Sequence, residues 1–280
     1  MKPLTALLAA IFLHASLGSM QAANAQGAVK PKTASSAAKK RPAYALEPLE
    51  TWTDELGPGY KGHACIPIAK RLHSLKVDKD AFETTAAHAD RMGALGKEKI
   101  VGSTLLGDTF GFVDAYRSFS EDYDADRGTL HVRGIWGAKM QRIGDAFFVA
   151  ELLDSTQLST RSYTAANAYG RTAQVTSTTT RGCGLLFTNI PLKLLQPNIR
   201  QLDVSLELSP EQARLAIYNI QIMFVGKLAP PYLSGYFDFT RPTIKDPREK
   251  NWEGDNLTIE LQQVWLFNRK TGHVYKKIDI

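Results

Sequence analysis

The stretch Gln201-Leu-Asp-Val-Ser-Leu-Glu-Leu208 decides the fold class, because apolar and polar residues alternate through all eight positions. Alternate residues of an extended chain point to opposite faces of a sheet, so this pattern predicts a strand with one buried face. Nine further stretches have strand character: 100–106, 109–119, 129–136, 146–153, 171–180, 184–190, 216–227, 257–267 and 272–279. These stretches predict an α+β fold that is mainly antiparallel β, either sandwich-like or built as two small sheets.

Two polar turns predict β-hairpins within this strand-rich region. The turn at 123–128 follows the stretch 109–119, and the turn at 268–272 follows the stretch 257–267. Each turn ends in a glycine, which can adopt the positive φ angle that such turns often require.

Helical signals are concentrated near the N-terminal end of this region. Residues 66–75 predict a short helix. Asp80 with Glu83 three residues later has the spacing of a capping box, which predicts a helix over 81–95. The apolar stripe of that helix would consist of Phe82, Ala86, Ala89 and Met92.

One further helix is predicted in the C-terminal half. Ser209 supplies a capping hydroxyl, Pro210 stands at the first helical position, and Gln212 completes the capping box. These residues predict a short helix near 210–216.

The first 25 residues have the pattern of a secretory signal peptide. Lys2 is followed by ten mostly apolar residues, 4–13, and Ala23-Asn24-Ala25 provides small side chains for a cleavage site after Ala25. A membrane anchor is the alternative, but its apolar run would need about 20 residues. We therefore expect a bacterial protein that is exported and is periplasmic or secreted.

The basic charge of the chain lies outside its expected folded part. Residues 26–45 carry five positive charges and no acid, which predicts a disordered linker with at most a weak, salt-sensitive contact to an anionic membrane surface. The mainly β globular region, 46–280, has 28 basic and 28 acidic residues. This neutral balance argues against nucleic acid as a partner. A subdivision of the region near 191–200 is suggested by its prolines.

Cys65 and Cys183 are the two cysteines of the chain. In an exported protein such a pair is expected to form a disulfide, here closing a loop of about 119 residues. Chain entropy gives such a cross-link about 4–5 kcal/mol of stabilisation. The alternatives are two buried free thiols, or a reactive thiol with His63 as its base.

No motif predicts a catalytic residue, a cofactor or a metal site. The chain lacks a nucleophile elbow, a phosphate-binding loop and a dinucleotide fingerprint, and its histidines have no compact zinc spacing. Alternating Asp122, Asp124 and Asp126 resemble the start of a calcium loop. However, Gly128 comes one residue late and Arg133 occupies the twelfth position, so a hairpin tip is the preferred interpretation.

Residues 155–181 contain twelve serines and threonines. Such residues are typical of strands and sheet edges that face water. The alternative is a surface lined with hydroxyl groups that binds a sugar or a peptide.

The segment 230–240 is interpreted as a loop, because prolines and a glycine interrupt it. Its aromatic side chains would form a partner-binding surface or pack inward as a small additional core. The candidate partner-binding residues are Tyr232, Tyr236, Phe237, Phe239 and Trp252.

The leading functional hypothesis is a non-catalytic binding or structural protein of the bacterial cell envelope. Its partner would be an envelope protein or polymer that the sequence does not identify. One alternative is an envelope hydrolase whose site is assembled from separate strands. Another is an adaptor that binds a second protein through the aromatic segment 230–240.

Overall fold

The structure is a computed structural model that describes residues 43–77, 79–114, 116–117, 119–137, 139–143, 146–191 and 201–280. The predicted signal peptide, nearly all of the predicted linker and most of the suggested boundary at 191–200 lie outside these residues. The described part of the chain belongs to one compact unit.

The fold is α+β and mainly antiparallel, as the sequence predicts. The helices are α1 (Cys65–Ser74), α2 (Thr85–Leu95) and α3 (Pro210–Ala216). The strands are β1 (Lys99–Val101), β2 (Thr104–Leu105), β3 (Thr109–Val113), β4 (Phe119–Asp124), β5 (Thr129–Ile135), β6 (Lys139–Ile143), β7 (Ala146–Ala166), β8 (Thr172–Pro191), β9 (Gln201–Glu207), β10 (Ile220–Thr240), β11 (Arg248–Asn268) and β12 (Val274–Asp279).

A seven-stranded sheet forms the centre of the molecule, in the order β3-β10-β11-β8-β7-β6, with β12 added alongside β11. Its largest parts are two long antiparallel hairpins, β7–β8 and β10–β11. The hairpins are joined by a parallel pairing of β8 with β11, from Thr176 opposite Arg248 to Phe187 opposite Ile259. Among the described strands, every other pairing is antiparallel.

A three-stranded sheet, β4-β5-β9, shares one hydrophobic core with the large sheet. Strand β9 buries every second residue, as the alternation in 201–208 predicts. Trp136, just after β5, packs edge-on against Phe187 with ring centroids 5.4 Å apart. The two sheets therefore enclose a common apolar layer.

Helix α1 packs into the hydrophobic core that the two sheets share, and a disulfide links it to the large sheet. Ile68 and Leu72 of α1 are fully buried, and Cys65 is bonded to Cys183 of β8, with the two Cα atoms 5.9 Å apart. The predicted disulfide is thus present. At the other end of the helix, the imidazole of His73 lies 3.0 Å from the carboxylate of Asp255 on β11.

The distal halves of the two long hairpins form a four-stranded extension that we call the arm. It comprises 155–166 of β7, 172–182 of β8, 233–240 of β10 and 248–256 of β11. Seven consecutive residues of β7, 156–162, are exposed, which requires that both faces of this strand meet water. The β7 part of the hydroxyl-rich stretch is therefore a water-facing edge strand, whereas its β8 part lies between β7 and β11 and buries Ser177 and Thr180.

Polar contacts hold the strands of the arm together. The Glu249 carboxylate of β11 accepts hydrogen bonds from the Tyr163 hydroxyl of β7 at 2.9 Å and from the Ser177 hydroxyl of β8 at 2.5 Å. Nearby, Arg181 and Glu253 form an ion pair across β8 and β11 at 2.8 Å. The hydrogen bonds from Ser177 and Tyr163 lower the pKa of Glu249 and so favour its charged form.

Helix α3 has the predicted capping box, whereas α2 begins later than predicted. The Glu83 carboxylate accepts a hydrogen bond from the Asp80 amide, and the Asp80 carboxylate accepts one from the Phe82 amide, but these bonds close a turn. The hydroxyl of Thr84 caps the helix instead. The predicted apolar stripe is wrong at Phe82, which is 98% exposed, and at Ala86 and Ala89, which are also exposed. Met92 is the stripe residue that is buried.

The parallel junction between β8 and β11 depends on two small residues. Gly182 and Gly254 lie opposite each other, and a Cβ atom on Gly254 would clash with the carbonyl oxygen of Gly182. The backbone must move apart to accommodate any side chain at this position.

We therefore expect Gly254→Ala to lower the free energy of unfolding by about 1–3 kcal/mol, because overpacking at a buried contact forces the backbone to shift. Chemical denaturation of the purified protein measures this value. Gly235→Ala on the neighbouring strand β10 is the matched control, since no atom lies within 4 Å of its added Cβ. Equal effects of the two substitutions would show that the close approach at Gly254 is not important for stability.

Candidate functional site

The first candidate site is a cavity of about 390 Å³ beside the disulfide. It lies between the segment that precedes α1, the end of β3 and the middle of β7. Its lining combines aromatic, charged and amide groups, namely Tyr44, Tyr60, Lys61, His63, Asp114, Asp154, Gln221 and Arg269. A concave site with a few converging polar groups can hold a small ligand.

Asp114 is the most unusual residue of this cavity. Its side chain is almost completely buried, and one carboxylate oxygen accepts a hydrogen bond from the amide of Tyr116 at 2.7 Å. Burial raises the pKa of Asp114 to about 7, and the neighbouring charge of Glu151 acts in the same direction. A carboxyl group with this pKa can exchange a proton near neutral pH.

His63 has a structural role at the cavity wall. Its Nδ1 accepts a hydrogen bond from the Gly111 amide at 3.1 Å, and its Nε2 donates to the Glu47 carbonyl at 2.9 Å. Burial lowers the pKa of His63, although the nearby carbonyl oxygens of Gly111 and Glu47 oppose the shift. Because Cys65 is in a disulfide and both ring nitrogens are engaged, the alternative of a thiol nucleophile activated by His63 is wrong.

The second candidate site is the arm, where the structure places the predicted aromatic residues. The segment 230–240 is part of strand β10 and not a loop, so this interpretation is wrong. An irregularity in the pairing occurs between Leu228 and Leu233, and it accommodates Pro230 and Pro231. Beyond that point the strand pairs regularly with β11 as far as Thr240.

The five aromatic residues do not form one surface. Phe237 and Phe239 lie on one face of the arm and are exposed, by 72% and 41% respectively. Tyr236 lies on the opposite face, which it shares with Trp252, and both are half-buried. Tyr232 packs against the main hydrophobic core.

We call the surface around Phe237 and Phe239 the aromatic face of the arm. Cross-strand register places Asn251 and Glu253 of β11 beside the two rings. Beyond them lie Thr179 and Arg181 of β8 on the same face. Exposed rings bordered by hydroxyl, amide and paired charged groups can contact either a protein or a polysaccharide.

The acidic turn at 122–128 is a hairpin tip, the interpretation that its sequence favours over a calcium loop. Asp124 accepts hydrogen bonds from the amides of Asp126 and Arg127, and Gly128 adopts a positive φ of 64°. Within the described ranges, no three His, Cys, Asp or Glu side chains are grouped so that they could hold a metal ion.

Sequence reasoning missed Asp114 and the cavity around it. Asp114 follows the apolar stretch Phe110-Gly-Phe-Val113, where an acid could equally mark the end of a strand in water. The sequence shows one carboxylate next to an apolar strand. It does not show that β7 and β10 cover this carboxylate.

Searches of protein-family models, curated proteins and solved structures found no match to this chain. Among the residues that the structure describes, no helix is both long and apolar enough to cross a membrane. The disulfide is typical of proteins outside the reducing cytoplasm.

We expect Asp114→Asn to stabilise the protein more at pH 8 than at pH 4, compared in each case with the unmodified protein. The folded-state pKa of Asp114 is raised, so its contribution to stability is present below about pH 4 and is lost as the pH rises through 7. Asparagine can keep the acceptor for the Tyr116 amide without becoming charged. The gain in unfolding free energy should be about 2–4 kcal/mol larger at pH 8 than at pH 4, since a tenfold change in proton affinity corresponds to about 1.4 kcal/mol.

Urea denaturation at pH 4 and pH 8 measures this difference. Asp238→Asn, at an exposed position of the arm, is the control and should give no comparable gain. A gain for Asp114→Asn that is the same at both pH values would contradict the expectation, because it would not arise from ionisation.

Proposed function

We propose that the chain is an exported binding protein of the bacterial cell envelope that contacts its partner through the aromatic face of the arm. The observation that carries this proposal is the exposure of Phe237 and Phe239 on a sheet extension with water on both sides. The partner is an envelope protein or polymer. The signal-peptide pattern of the first 25 residues supports a periplasmic or secreted location.

The composition of the arm supports binding over a purely structural role. Phe237 and Phe239 lie side by side on one face, and covering such an apolar patch with a partner is favourable in water. Around the two rings, the charges of Arg181 and Glu253 are paired with each other. A partner could therefore cover the rings without having to neutralise an isolated charge of this surface.

Site-specific photo-crosslinking in intact cells tests the proposal. A photoreactive amino acid at Phe237 should yield a covalent adduct with an envelope component other than the protein itself. Trp52, which is 76% exposed and lies outside the arm, is the matched control and should yield no such adduct. The absence of an adduct at Phe237, or the same adduct at Trp52, would argue against the aromatic face as the binding surface.

A hydrolase remains the second candidate, and Asp114 is the observation that favours it. Asp114 follows β3 and Asp154 belongs to β7, so two carboxylates from separate strands line one cavity. The raised pKa of Asp114 suits a general acid or base near neutral pH.

In this alternative, the purified protein should release soluble fragments from isolated cell-wall polymer. Asp114→Asn should reduce the rate by about 100-fold or more, as expected for loss of general acid–base catalysis. The control variant Asp238→Asn should retain the rate. If the unmodified protein releases no fragments, this alternative fails, whereas the binding proposal is unaffected.

A further inference from the structure

The two outer strands of the arm differ in how their free edges are protected. On the β10 side, the side chain of Gln141 donates hydrogen bonds to the Ser234 hydroxyl at 2.6 Å and to the Gly235 carbonyl at 2.7 Å. Pro230 and Pro231 precede this region, and proline cannot donate a backbone hydrogen bond. This edge therefore carries features that hinder the addition of another strand.

Among the residues that the structure describes, none gives the β7 side comparable protection. Strand β6 pairs with β7 only from Ala146 to Ala150, and no described strand lies outside β7 beyond that point. A one-residue irregularity at Leu158 interrupts the register, after which 159–166 pairs regularly with β8. Unpaired backbone groups of such an edge can accept a further strand.

Beyond the irregularity at Leu158, the side chains of this edge carry few of the features that prevent pairing. The stretch 159–166, Ser-Thr-Arg-Ser-Tyr-Thr-Ala-Ala, contains no proline, no glycine and no lysine. Arg161 is its single charged residue. Threonine and tyrosine suit strands, and the segment is already extended, so it could extend the sheet without a change in its own conformation.

We propose that a second copy of this chain pairs with the β7 edge, antiparallel and about a two-fold axis at Ser162. In this register Ser162 faces its own copy, Thr160 faces Thr164, and Arg161 faces Tyr163. Threonine pairs and a cation beside an aromatic ring are favourable cross-strand neighbours. Residues that face each other across the axis lie on the same face of the sheet, so the sheets of the two copies join into one continuous sheet.

Charge selects this register over the one with its axis at Arg161, and the resulting pairs suit a second copy as the partner. An axis at Arg161 would place two arginines directly opposite each other, which is destabilising. With the axis at Ser162, no like charges face each other, and the self-complementary pattern required by a two-fold interface is met. The paired segment is short, so the dimer should be reversible and should form at micromolar concentrations.

Sedimentation velocity of the purified protein from about 1 to 200 µM tests this proposal. The unmodified protein should shift from monomer to dimer within this range. Ser162→Lys and Ser162→Glu should each weaken the dimer by at least about tenfold, since each places like charges at the axis. An equimolar mixture of the two variants should recover the dimer, because opposite charges then face each other.

Thr240→Lys is the matched control, because it adds the same charge at an exposed position of the other outer strand. It should leave dimerisation unchanged. The proposal is overturned if the unmodified protein stays monomeric throughout, if Thr240→Lys weakens the dimer as much as Ser162→Lys does, or if the mixed variants fail to recover it. This result is independent of whether Phe237 forms an adduct with an envelope component.

Discussion

The parallel pairing of β8 with β11 is the contact on which the rest of the structure depends. Each of these strands belongs to a separate antiparallel hairpin, and twelve facing residue pairs join the two hairpins into one sheet. Gly182 and Gly254 face each other within this pairing and allow the backbones to approach closely. The disulfide from Cys65 to Cys183 and the contact of His73 with Asp255 attach helix α1 to the same two strands.

This junction runs from the hydrophobic core into the arm, and its physical basis changes along the way. Near the core, Leu185, Phe187, Leu257 and Ile259 are fully buried, so apolar burial stabilises the pairing. In the arm, hydrogen bonds to Glu249 and the ion pair of Arg181 with Glu253 link the strands instead. Partly exposed polar contacts of this kind contribute modestly, so the arm depends on the backbone hydrogen bonds of its four strands.

The sequence predicts a strand well where one of its faces is buried and the other meets water, because apolar and polar residues then alternate. The strand at 201–207 and the capping box at Ser209 were predictable, because alternation and capping are local signals. The full lengths of β7 and β10 were not, since alternation disappears where both faces of a strand meet water or where prolines interrupt it. The cavity around Asp114 could not be predicted either, because its wall is assembled from segments distant in sequence.

Hydrogen–deuterium exchange of the intact protein tests the central role of the β8–β11 junction most directly. Amides in 176–187 and 248–259 should exchange slowly even in the arm. At protein concentrations where the monomer prevails, many amides in 156–166 should exchange much faster, because one side of β7 is then unpaired. Fast exchange throughout 176–183 and 248–256 would contradict the central role of the junction, because the two hairpins would then not be joined along the arm.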